Sequence, residues 1–86
     1  MVQVETESQL IVHNPRVQGG EPVIRGTRVP VRSIVIAAAE YGGDLTRVGR
    51  AFSVDVAAVQ AALAYYEQHK AEIDGIIEQH ERAALP

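Results

Sequence analysis

Gly20-Glu21-Pro22-Val23-Ile24-Arg25-Gly26-Thr27-Arg28-Val29-Pro30-Val31 is the stretch whose reading decides the fold. Pro22 fixes φ and lacks a donor, which places a turn at Gly20-Glu21-Pro22. Gly26 stands between two short β-branched runs, where a residue free to take positive φ lets the chain reverse or bulge. Pro30 biases Val29 toward extended geometry and suits the start of a helix. The stretch therefore reads as a β-arm with a corner in it, leading directly into helical sequence.

Upstream, Leu10-Ile11-Val12 is an apolar run closed by His13-Asn14-Pro15, a strand followed by a turn. With Val23-Ile24 and Val29 it forms a small antiparallel sheet, whose open edge invites pairing with a second copy. Ile11, Val23 and Ile24 are the residues expected to hold that dimer arm. Residues 1–9 read as a loose lead-in. Downstream, Ile34, Val35, Ala38 and Tyr41 recur at helical spacing from Val31 to Tyr41, and Gly42-Gly43 stops the helix. Asp44 caps a second helix with Leu45, Val48 and Phe52 on its apolar face. Gly49 costs that helix about 1 kcal/mol relative to alanine, which suits close approach by another element. Ser53-Val54 is a turn and Asp55 the next cap. Val56, Val59, Leu63 and Tyr66 then form an apolar stripe that continues through Ile73, Ile76, Ile77, His80 and Ala84. Residues 55–84 read as one helix or as two with a break between Gln68 and Ala71. The expectation is a mostly α fold in one domain over 10–86: β-arm 10–30, three-helix core 31–67 in helix-turn-helix order, C-terminal helix 68–84.

Eighty-six residues bury a core only marginally, so a homodimer or a partner is expected. The absence of cysteine excludes disulfides and thiolate metal sites and fits a reducing cytoplasm. No run is long enough to span a membrane, and no secretory leader is recognisable. The net charge of −3 is unevenly distributed. Residues 10–54 carry six arginines against Glu21, Glu40 and Asp44, whereas residues 55–86 carry six acids against Lys70 and Arg82. A basic middle suits nucleic acid, and an acidic end suits a basic partner.

If the core is a helix-turn-helix, the helix from Asp55 to Tyr66 would read bases, yet off its stripe only Gln60 offers bidentate hydrogen bonding. DNA contact then rests on phosphates, through Arg25 and Arg28 at the corner and Arg47 and Arg50 on the second helix. Arg28 also suits a structural role, reaching carbonyls at the corner or pairing with Glu21 or Glu40. Ala57, Ala58, Ala61, Ala62 and Ala64 either let another backbone come close or simply favour helix. The amphipathic end offers Ile73, Ile76, Ile77 and Glu78 to a partner, or its isoleucines close the chain's own core. His69 and Glu72 stand one turn apart without a closed ligand set, so no metal and no cofactor are expected. No phosphate-binding glycine loop or nucleophile elbow is present, and the chain reads as non-enzymatic.

Pro15, Gly20-Glu21-Pro22-Val23-Ile24 and Gly26-Thr27-Arg28-Val29-Pro30-Val31 resemble the signature of the domain of unknown function 433 family. The resemblance runs on through Leu45-Thr46-Arg47-Val48 and Ala61-Ala62-Leu63-Ala64-Tyr65-Tyr66 to His69, Glu72 and Ile73-Asp74, spanning Leu10 to Ile77. It implies a homeodomain-like helical core and a VapB-type antitoxin of a type II toxin–antitoxin pair. The implied partner is a PIN-like ribonuclease toxin from the adjacent gene, neutralised by direct binding, with promoter DNA as a second target. The alternatives are a stand-alone DNA-binding regulator and a structural dimerisation module.

Overall fold

A computed structural model describes residues 9–84. The lead-in expected at 1–9 lies, Gln9 apart, outside the described residues. Two short strands, β1 (Ile11–His13) and β2 (Pro22–Ile24), pair antiparallel with Ile11 opposite Ile24 and His13 opposite Pro22. The strand begins at Ile11, one residue later than the run from Leu10 suggested, although the Leu10 carbonyl already accepts the Arg25 amide at 2.8 Å. A single 3-10 turn at Gln18–Gly20 reverses the chain between the strands, with Gly19 and Gly20 at positive φ. The corner forms at Gly26, whose φ is 79°. Thr27 closes it twice, donating its hydroxyl to the Ile24 carbonyl at 2.8 Å and accepting the Val29 amide at 3.0 Å. Val29 and Pro30 then return along β2 through an isolated bridge between Val23 and Pro30.

The helices follow as α1 (Val31–Glu40), α2 (Leu45–Phe52), α3 (Val56–Gln68) and α4 (Lys70–Ala84). Pro30 caps α1 by backbone alone, its carbonyl accepting from Ser33 and Ile34. Gly42, in the left-handed region, and Gly43 end α1 by bonding back to Ala39 and Ala38, the paired closure of a Schellman motif. Asp44 and Asp55 cap α2 and α3 by accepting the amides of Arg47 and Ala58.

The same closure ends α2, with Ser53 in the left-handed position (φ 59°) where glycine is usual. Val54 bonds back to Gly49 at 2.9 Å, and this brings its carbonyl over the α2 backbone. A Cβ on Gly49 would lie 2.7 Å from that carbonyl oxygen. The glycine is the condition for so tight a turn between α2 and α3.

α3 is the axis of the molecule, packed by α1, α2, α4 and both strands. Its buried residues are Ala58, Val59, Ala61 and Ala62. The expected stripe is thereby corrected: Val59 is fully buried, Leu63 and Tyr66 are partly so, and Val56 is exposed. An element covered from several sides needs small side chains where backbones approach, so alanines take positions that a one-faced helix gives to larger residues. Ile11, Ile24, Val31, Ile34, Val48 and Ile73 complete the core, each worth about 1.5–3 kcal/mol when buried. Residues 55–84 form two helices, broken at His69 (φ −136°, ψ 41°). Beyond the break α4 packs on α1 and α3, with Ile73 its fully buried anchor.

Candidate binding surfaces

Two surfaces of opposite charge lie on different elements. The cationic one starts at the arm corner, where Arg25 and Arg28 are both exposed. A shallow open groove joins this corner to the α2–α3 turn, lined by Leu10, Ile24, Arg25 and Thr27 on one side and Ser53, Val54, Asp55 and Ala58 on the other. Arg25 is thus brought beside the start of α3. Arg47 and Arg50 stand one turn apart on the exposed side of α2, and the Arg47 guanidinium lies 4.7 Å from the centre of the Tyr41 ring. That contact costs the cation nothing as a phosphate partner, because the ring leaves its donors free. Gln60 is exposed on α3, between the exposed Ala57 and the half-buried Leu63 and Ala64.

The arginine that ties down the arm is Arg32 of α1 rather than Arg28 of the corner. Its Nε lies 3.0 and 3.1 Å from the two carboxylate oxygens of Glu21, whose side chain is only 9% exposed. His80 of α4 reaches the same carboxylate at 3.4 Å. One acid in the turn before β2 therefore ties together arm, α1 and α4. Arg28 instead contributes its backbone carbonyl, which accepts from the Gln18 side chain at 3.0 Å. Sequence reasoning weighed Glu21 as an arginine partner but had no signal for His80, which lies far along the chain.

The anionic surface is carried by α4. Ile73 is buried in the chain's own core, and Ile76 and Ile77 are half-buried against it. Glu78 is exposed and pairs with Arg82 at 2.9 Å. Near the α3–α4 joint, Glu72 accepts the Tyr65 hydroxyl at 2.8 Å and lies 3.5 Å from His13 of β1. His69 stacks on Tyr65 with ring centres 4.1 Å apart. Tyr66 donates to Asp74 at 2.9 Å. Burial, then the Glu72 bond and charge, pushes the Tyr65 phenol well above its usual range; the Tyr66 phenol is raised too, chiefly by its bond to Asp74. Among the described residues no group of three or more His, Asp or Glu is placed to hold a metal ion.

The residues expected to form a dimer arm are turned inward. Ile11, Val23 and Ile24 are 5%, 1% and 3% exposed, so among the described residues it is the outer backbone edge of β1, not these side chains, that is left for pairing.

A family model described as a protein of unknown function (DUF433) matches residues 11–66, from β1 to near the end of α3. The chain belongs to this family. The family match therefore spans the arm and α1–α3 and stops before α4, short of the Ile77 boundary drawn from sequence. No curated protein and no solved structure matches the chain. Among the described residues, no helix is long and apolar enough to cross a membrane.

Proposed function

We propose that this DUF433 chain is a non-catalytic binding protein, the antitoxin of a type II toxin–antitoxin pair. The observation that carries the reading is the division of charge between elements. Arg25, Arg28 and Arg50 have no acidic partner among the described residues, while the carboxylates of α4 face outward on another element. A protein that meets DNA phosphates with one surface and a basic ribonuclease with another needs this separation. The α2–α3 pair with its tight Ser53 turn, backed by α1, supports a helix-turn-helix role. The outward face of α3, with Val56, Ala57 and Gln60, makes phosphate contact the main source of DNA affinity.

The test is co-expression with the product of the adjacent gene. A co-purifying complex whose ribonuclease activity is blocked supports the reading. Glu78→Lys with Glu81→Lys keeps the buried isoleucines in place and should slow association at low salt. A toxin-like neighbour that neither binds nor is inhibited would overturn it.

The inward packing of Ile73, Ile76 and Ile77 favours a second reading, a stand-alone DNA-binding regulator, because it spends on the chain's own core the anchors a toxin groove would take. DNA binding without any neighbouring partner selects it.

A further inference from the structure

α3 and α4 are separated by one non-helical residue, His69, and the sequence there does not call for a break. Gln68-His69-Lys70-Ala71-Glu72 contains neither proline nor glycine, and all five residues are compatible with helix. Val59, Ala62, Tyr66, His69, Ile73, Ile76 and His80 recur at alternating spacings of three and four, the seam of one continuous helix. The bend is held from outside the joint. Tyr65 bonds Glu72 seven residues on, and Tyr66 bonds Asp74 eight residues on. In a straight helix those pairs are about 10.5 and 12 Å apart along the axis, so the bonds belong to the bent form. Both are exposed, as are the α4 contacts His13–Glu72 and His80–Glu21 on the histidine side.

We propose that α4 is exchanged between two copies of this chain. The joint at His69 straightens, α3 and α4 become one helix of roughly 43 Å from Val56 to Ala84, and each copy's α4 enters the other's crevice. Every contact that receives α4 is then remade across the two-fold, because the crevice and the helix are the same in both copies. Ile73 refills its pocket against α1 and α3 of the partner copy. His80 meets the partner copy's Glu21–Arg32 pair, which supplies the charge complementarity that fixes register. The new contacts are those between the two straightened joints. The inference is independent of the antitoxin reading. It assigns dimerisation to α4, since the arm's apolar side chains are already used internally.

The joint can be tuned without touching the core, because the His69 side chain is 45% exposed. His69→Ala and His69→Gly both remove the Tyr65 stack and the Glu72 contact, so they differ only in helix propensity. Counted over the two joints of a dimer, that difference lowers the dimer dissociation constant of the alanine variant about 30-fold below that of the glycine variant. Sedimentation of both, with circular dichroism as the folding control, measures it. The exchange itself is read with His13→Cys and Glu72→Cys in the cysteine-free His69→Ala chain, an exposed pair 3.5 Å apart whose replacement leaves the Glu21–Arg32–His80 contact in place, cross-linked by a short bis-maleimide. A covalent dimer on a denaturing gel from the dimer fraction is the expected result. An intramolecular product only, or equal dissociation constants for the two joint variants, overturns the proposal.

Discussion

Gly49 and Ser53 break local rules in opposite directions, and each does so for the sake of the other. A glycine inside α2 sacrifices helix propensity so that the Val54 carbonyl can lie on the helix, and Ser53 accepts a left-handed backbone so that the chain can reach that position. Gly49→Ala should therefore destabilise the protein despite alanine's better propensity, by about 1–3 kcal/mol, since the carbonyl it meets is backbone and has no rotamer to yield. Ser53→Gly should stabilise by about 0.5–1 kcal/mol, the relief of left-handed strain less the entropy glycine adds to the unfolded chain. Urea unfolding of the two variants decides both signs. Glu21 is the third such residue. Nearly covered and shared by Arg32 and His80, it leaves a guanidinium half-stranded if replaced, so Glu21→Ala should cost more than any exposed pair on α4.

At the scale of elements, the caps and stops were legible in the sequence because each answers a demand made by a few neighbouring residues. Gly26 and Gly42-Gly43 supply positive φ, and Asp44 and Asp55 accept first-turn amides; none of this depends on what lies across the core. The facing of α3 was not legible. Its alanines are compatible with any side of a helix, and only contact on several sides decides which are covered. The break at His69 was one of two readings the sequence left open, and the choice rests on contacts across the joint such as the bonds between Tyr65 and Glu72 and between Tyr66 and Asp74. Burial of Tyr65, together with its bond to Glu72, carries a pH signature. A phenol whose proton is held more tightly in the folded chain than in the unfolded one stabilises the fold below pH 10, the ordinary tyrosine value, and loses that contribution as pH rises beyond it. The midpoint of thermal unfolding should fall above pH 10, and Tyr65→Phe should flatten that fall. On the proposed DNA-binding role of α2, Arg47→Ala with Arg50→Ala should weaken that binding equally on all sequences and reduce its salt slope by about 2. A filter-binding series over ionic strength reads it.

For the whole molecule, the arm and the first three helices make a mutually packed unit centred on α3, whereas α4 is attached at one end of it. A single fully buried side chain, Ile73, anchors a helix whose residues from Glu78 to Ala84 are all exposed, with His80 reaching back to Glu21. The chain is thus two cooperative units of unequal strength, and α4 should open at a free energy well below that of global unfolding. Its amides should exchange with deuterium before those of α3, although the two helices adjoin in sequence. The exposed Lys70 sits at the opening point. Limited trypsin should cleave there early and leave a fragment ending at α3, and where digestion removes this protein in a cell, its lifetime is governed by how often that last helix lifts away.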